Sequence, residues 1–276
     1  MSEPLVLVER DGPVAVVTMN RPEARNAMNA AHSAAFVEAL GSVQDAAAIV
    51  LTGSDPAFCA GLDLKEIGSV GLGGSIGDFI GVVQRSTAPV IGAVNGSAVT
   101  GGLELALACD FLVASERATF ADTHGRVGVY PGGGMTVILP QRIGVAAARE
   151  MSLTGNFYDA STVHRWGLVN HVVKHEDLLP FAIGLAHDIA SLAPGMAESL
   201  RDGIAEATSV TVAEGLAVEQ RRAREHHASV HAADIAARRA GIMERSRDQR
   251  RSGGLGGCAA PERSEHEGGD PLQGRA

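Results

Sequence analysis

In the stretch TGGLELALACD (100–110) two glycines precede a run of helical spacing, and one glutamate, Glu104, interrupts an otherwise apolar pattern. The first amides of a helix have no intrahelical partner, and glycine leaves them unobstructed. Gly101 therefore opens a cradle of N–H donors for an anion or a developing oxyanion. The helix dipole adds positive potential there without choosing between a phosphate, a carboxylate and an enolate. Glu104 either satisfies that dipole or moves a proton at the carbon beside a bound carbonyl, a role contributing about 10²–10⁴-fold in rate. A capping box fits poorly, because Thr100 as cap would face Leu103 and Gly101 has no side chain to reciprocate, so the catalytic reading gains.

A second backbone donor is available in DPAFCAGLDLKE (55–66), which follows a buried apolar run. It thus lies at the C-terminal end of a strand, where α/β sheets bind ligands. Asp63, just ahead of Leu64, reads as a helix N-cap. A third chemically equipped stretch is ATFADTHGRVGVYPG (118–132), where Asp122 and His124 stand two residues apart. Histidine exchanges a proton near neutral pH, and a neighbouring carboxylate can orient it.

Elements must position these three stretches. LVLVER (5–10) and VAVVTM (14–19), split by Asp11-Gly12-Pro13, read as a β-hairpin. Residues 30–44 suit a helix and AIVLTG (48–53) a buried strand. The alternation recurs through a helix at 76–86, the run VIGAVNG (90–96), the helix of LELALA (103–108) and FLVAS (111–115). Buried strands separated by helix-length segments imply parallel pairing through crossovers, hence an α/β core. From 134 the pattern is mostly helical, broken by GLVNHVV (167–173), and 176–246 read as amphipathic helices with Ala, Leu and Ile on one face. The organisation expected is an α/β core over 1–190, a helical region over 191–250 and a disordered tail over 251–276, where large apolar residues are almost absent.

Composition narrows the function classes. The chain of 276 residues has no apolar run long enough for a membrane span, and its N-terminus lacks the basic patch and apolar helix of a secretory signal. Cys59, Cys109 and Cys258 are too few and scattered for a disulfide framework, so a reducing, cytoplasmic setting is expected. A formal charge of -9 gives no general attraction to nucleic acid or anionic membranes.

FCAGLDLKE (58–66), APVIGAVNGSAVTGGLELALACD (88–110), ATFAD with GVYPGGG (118–134) and LTGNFYDASTVHRWGLVNHVV (153–173) together resemble the enoyl-CoA hydratase/isomerase, or crotonase, family, over about residues 5–245. The resemblance implies a spiral of ββα units, a C-terminal helical region used for trimerisation into a trimer or dimer of trimers, and an acyl-CoA thioester substrate. Coenzyme A then arrives as part of that substrate, with no separate cofactor. The resemblance also implies oxyanion donors at the amides of Ala60 and Gly101, and acyl-CoA contacts from Arg25, Gly61, Leu62, Asp63, Leu64, Pro131 and Gly132. Arg25 would meet a phosphate of the nucleotide portion. Hydratases of the family hold water with two glutamates. The first matches Glu104; the second position is occupied by His124, with Asp122 orienting it or acting as the acid itself. Met135 replaces a family glycine and is expected to reshape the pocket.

Weaker signals are declined. GLGGSIG (71–77) imitates a dinucleotide fingerprint without the preceding strand, and a mobile flap suits it better. His227 with His231 lack a third metal ligand at sensible spacing, and His171 with His175 lack the H-E-x-x-H pattern, so no metal is expected. Competing functions are enolate chemistry (hydration or isomerisation), a non-catalytic acyl-CoA binder and an RNA-binding relative. Turnover separates the first two. The third fits the acidic charge badly.

Overall fold

The computed structural model describes residues 3–70 and 78–251. The chain divides into two compact units, Met1–Val218 and Glu219–Ala276. The first holds two sheets. Strands β1 (Val6–Asp11) and β2 (Val14–Met19) form the expected hairpin, antiparallel, with Asp11 opposite Val14. Three repeats of strand, strand and helix follow. The first is β3 (Ala48–Gly53) and β4 (Ala57–Cys59) with helices α2 (Leu64–Val70) and α3 (Phe79–Gln84), after α1 (Ala30–Gly41). The second is β5 (Val90–Val94), β6 (Ser97–Val99) and α4 (Gly101–Leu107). The third is β7 (Phe111–Ser115), β8 (Thr119–Ala121) and α5 (His124–Val127). Helix α6 (Ile138–Thr154), β9 (Tyr158–Asp159), α7 (Ala160–Trp166), β10 (His171–Val173) and α8 (Leu178–Ala190) complete the layers, and α9 (Met196–Thr208) leads to α10 (Val212–His227).

The first strand of every repeat joins one six-stranded sheet, ordered β1-β2-β3-β5-β7-β10; the second strand joins a four-stranded sheet, ordered β4-β6-β8-β9. Apart from β1 with β2 and β8 with β9, all pairs are parallel. Alternate side chains on a strand point to opposite faces. Ala15, Val17, Ile49, Leu51, Val94 and Leu112 accordingly meet Phe58, Ala98 and Phe120 of the second sheet, forming the main core. Val14, Val16, Val50, Ile91 and Val113 point the other way, onto Leu178, Ala182 and Ala186 of α8. Both faces being covered explains why these strands read as continuous apolar runs.

The sequence reading missed β4, β6 and β8. Each has three residues, too few to display a period, and β6 falls in the gap between the expected run 90–96 and the expected helix at 103–108. Two helices also depart from expectation. Residues 30–44 stop being helical at Gly41, and α6 begins at Ile138 rather than at 134. It is bent at Gly144, whose φ is +78°.

The α/β elements through α8 lie in the first unit, which also takes in α9 and the start of α10. The second unit contains the end of α10 and α11 (Ala232–Arg251). The apolar stripe expected on the C-terminal helices is buried on α8 but not on α11, where Ile235 and Ile242 are exposed. Among the described residues no helix is long and apolar enough to cross a membrane. The stretch 71–77, expected as a flap, and the tail beyond Arg251 lie outside the described residues.

Candidate active site

Strands β4, β6 and β8 run parallel and adjacent, with Cys59 beside Ala98 and Val99 beside Ala121. Their C-terminal ends therefore open side by side, and each is followed directly by the chemically equipped residues: Ala60–Leu62 after β4, Thr100 and Gly101 after β6, Asp122–His124 after β8. They surround a cavity of about 580 Å³ whose lining includes Leu62, Gly101, Glu104, Thr123 and His124. Leu64, Ile67, Phe79, Ile80, Val127, Val129 and Tyr130 give it largely apolar walls.

The two glycines of TGG have different tasks. A methyl group on Gly102 would lie 1.9 Å from the Cys59 carbonyl oxygen, so glycine is what lets α4 press against β4. A methyl on Gly101 would meet nothing closer than 3.5 Å, because it would project into the cavity. Gly61, at φ +89°, has both reasons: its backbone is left-handed, and a methyl there would stand 2.9 Å from the Val99 carbonyl oxygen and 3.0 Å from the Gly101 nitrogen.

Ala60, expected as one of two oxyanion donors, is not available for that role. Its N–H donates to the Arg25 carbonyl at 3.0 Å. The amide left free is that of Leu62. Leu62 forms a parallel bridge with Met28 in which the Gly61 carbonyl accepts from Met28 (2.8 Å) and the Asp63 amide donates to Met28 (2.9 Å). In a parallel bridge the flanking residues make the bonds and the central residue's own N–H faces away. Among the described residues nothing accepts from the Leu62 N–H, and its nitrogen would lie 3.7 Å from a methyl on Gly101. Leu62 and Gly101 thus present two neighbouring, unpartnered amides to one cavity.

Glu104 is 4% exposed. Its Oε1 accepts from the Gly133 amide at 2.6 Å and from the Met135 amide at 3.4 Å, leaving Oε2 toward the Nε2 of His124 at 3.7 Å. His124, also buried, directs Nδ1 to Asp122 Oδ1 at 2.7 Å. Burial of Asp122 opposes ionisation, but hydrogen bonds from the His124 and Ser152 side chains and the His124 amide outweigh it and hold the carboxyl below its usual range. An ionised Asp122 only accepts, so Nδ1 carries a proton and Nε2 is the ring nitrogen turned to Glu104.

Other expected contacts fare differently. Leu64, Gly132 and Ala60 line the cavity. Pro131 is half-buried beside them in sequence, and the amide engaged by the glutamate is that of Gly133, not Gly132. Met135 is buried in the main core, and its amide turns to Glu104. Asp63 caps α2 through the Lys65 amide (3.0 Å) and binds Arg21 at 2.7 Å, the contact that most lowers its pKa. The same Arg21 reaches the Ala27 carbonyl, which pins the 21–28 loop against the Leu62 loop. Arg25 is exposed, in a left-handed conformation at φ 52°, and free of any side-chain bond among the described residues. Thr100, Thr123, Phe79 and Ile80 were not foreseen.

A family model described as enoyl-CoA hydratase/isomerase matches residues 9–245. The chain belongs to the enoyl-CoA hydratase/isomerase family. A probable enoyl-CoA hydratase of Rhizobium meliloti is 40% identical over 228 residues, spanning 80% of this chain and 89% of the relative. Among solved structures, an enoyl-CoA hydratase from Mycobacterium tuberculosis H37Rv is 43% identical with a TM-score of 0.67, covering 82% of this chain and 98% of its own. One from Bacillus anthracis is 29% identical with a TM-score of 0.77, covering 87% and 96%. The three stacked ββα repeats are this family's expected spiral, and His124 stands where the resemblance put a second glutamate. The structure brings that imidazole opposite Glu104 in the lining of the cavity, backed by a carboxylate of its own.

Proposed function

We propose that this enzyme adds water across the double bond of a 2-enoyl-CoA thioester, with Glu104 and His124 holding the water. The observation that carries this reading is the pair itself. Oε2 of Glu104 and Nε2 of His124 are 3.7 Å apart, a separation that one water can bridge while bonding to both. The thioester carbonyl accepts from the Leu62 and Gly101 amides, which polarises the conjugated system toward Cβ. One member of the pair removes a proton from the water as its oxygen bonds to Cβ. The π electrons move onto the carbonyl oxygen, where an oxyanion donor is worth about 2.7–4 kcal/mol. The other member then delivers a proton to Cα, and the carbonyl is restored. The pair needs one proton between them, and after each turnover a water proton has replaced the one donated.

The apolar wall of Leu64, Ile67, Phe79 and Ile80 suits an aliphatic acyl chain, and the exposed Arg25 suits a phosphate of the nucleotide portion. The reaction uses no cofactor beyond the coenzyme A of the substrate. We assign the exposed apolar residues Val145 and Leu153 of α6, and Phe157 after it, to contact with further copies in a trimer or dimer of trimers. The free, buried thiols of Cys59 and Cys109 suit the reducing cytoplasm.

The test is the fate of crotonyl-CoA. Loss of the enoyl absorbance with formation of 3-hydroxybutyryl-CoA supports hydration. Migration of the double bond in a 3-enoyl thioester, without hydration of the 2-enoyl form, refutes it.

A further inference from the structure

Thr100 breaks two local preferences at once. Its φ is +57° and its ψ −114°, a conformation that a β-branched side chain strongly disfavours. It is also the N-cap of α4, yet its hydroxyl makes no capping bond. A threonine there would ordinarily accept from an amide in the first turn. Its Oγ1 turns instead to the Oγ1 of Thr123, at 2.5 Å, and both residues line the catalytic cavity.

Three contacts hold this unfavourable conformation. The Thr100 N–H donates to the Ala121 carbonyl at 2.9 Å, its carbonyl accepts from the Glu104 amide at 3.0 Å, and its hydroxyl bonds Thr123. The carbonyl of Thr100 and the N–H of Gly101 belong to one trans peptide and point in opposite directions. With the carbonyl committed to the helix, the Gly101 N–H must point away from it. Strain that the surroundings enforce beside a reacting group is a device for holding that group in place. Thr123 immediately precedes His124, so the hydroxyl bridge joins the residue before the oxyanion amide to the residue before the imidazole.

We propose that Thr100 is a positioning residue, its strained backbone aiming the Gly101 amide and its hydroxyl bridge to Thr123 fixing that amide relative to His124. The proposal rests on the hydratase reading above. It separates the site's two halves, one on α4 and one on α5, and makes Thr100 and Thr123 the bond that keeps them in register.

The experiment uses Thr100→Val, Thr123→Val, the double Val variant, and Thr→Ser at each position. Two quantities are read: kcat and KM for crotonyl-CoA hydration, and the infrared C=O stretch of a bound, carbonyl-¹³C-labelled enoyl thioester. The stretch falls in frequency as the carbonyl is polarised. Each Val variant is expected to lose about tenfold in kcat with KM within about twofold, the signature of displaced groups rather than lost binding. It should also lose part of the C=O downshift. Both Ser variants should recover most of the loss, and the double variant should be no worse than either single one. Val variants that keep wild-type kcat and C=O stretch overturn the proposal, as do losses that add in the double variant. If wild type itself shows neither turnover nor a downshift, the hydratase reading fails and the proposal falls with it.

Discussion

Glu104 and His124 face each other across 3.7 Å, and each is held from behind by a different group, the Gly133 amide at 2.6 Å and the Asp122 carboxylate at 2.7 Å. Amide and carboxylate hold their partners in opposite senses: the Gly133 N–H donates to Oε1 of Glu104, whereas the Asp122 carboxylate accepts from the imidazole. Oε2 of Glu104 and Nε2 of His124 are thereby left facing each other.

Removing the support behind His124 should separate orientation from protonation. Asp122→Asn is expected to lower kcat by about 10²-fold or more with little change in KM, since the imidazole then loses its fixed tautomer. The same variant has a pH signature in stability. Because the Asp122 carboxyl is held below its usual range, its contribution is fully present above the unfolded value near 3.8 and is lost as pH falls through the lower folded value. The difference in melting temperature between wild type and Asp122→Asn should be constant near neutrality and shrink below about pH 4. A difference independent of pH down to acid would contradict it.

The two neighbouring glycines offer a contrast that needs no change of charge. Gly101→Ala adds a methyl in ordinary contact with its surroundings, so thermal stability should change little while kcat/KM falls by about 10²-fold or more as the methyl intrudes on the oxyanion cradle. Gly102→Ala drives a methyl into the Cys59 carbonyl and should destabilise the fold by about 1–3 kcal/mol or more. Melting curves and steady-state kinetics on both variants check the pair; equal effects of the two substitutions would be inconsistent with the geometry.

Much of this site was legible in the sequence, for a reason that applies to particular residues. Gly101 and Glu104 belong to one helix start, and Asp122 and His124 to one short turn, so their chemistry depends on spacing along the chain. The free amide after β4 does not follow from spacing. Which of Ala60 and Leu62 keeps a free amide is decided by Arg25 and Met28, which come from another part of the chain and take up one side of the loop. Composition carries no trace of that pairing. The same holds for Met135, whose side chain is drawn into the core while its amide serves Glu104. The inner strands β2, β3, β5 and β7 of the main sheet were readable because they are buried on both faces and rich in Val, Ile and Leu, while the three-residue strands of the second sheet carry no period to read.

Arg25 tests how the substrate's far end is held. Arg25→Ala should raise KM for a CoA thioester by about tenfold, the loss of one charge-assisted contact to phosphate, and leave kcat unchanged. KM for the same acyl group on pantetheine, which lacks the nucleotide, should not respond. An equal rise for both thioesters would assign Arg25 to the fold of its loop instead.

Whether a carboxylate and an imidazole together replace the pair of glutamates is decided by crotonyl-CoA turnover in wild type, Glu104→Gln and His124→Ala. Wild type should form the 3-hydroxyacyl product, and each variant should bind the thioester but lose at least about 100-fold in kcat. A His124→Ala enzyme that hydrates within a few-fold of wild type, or a wild type that binds the thioester without turning it over, would contradict it.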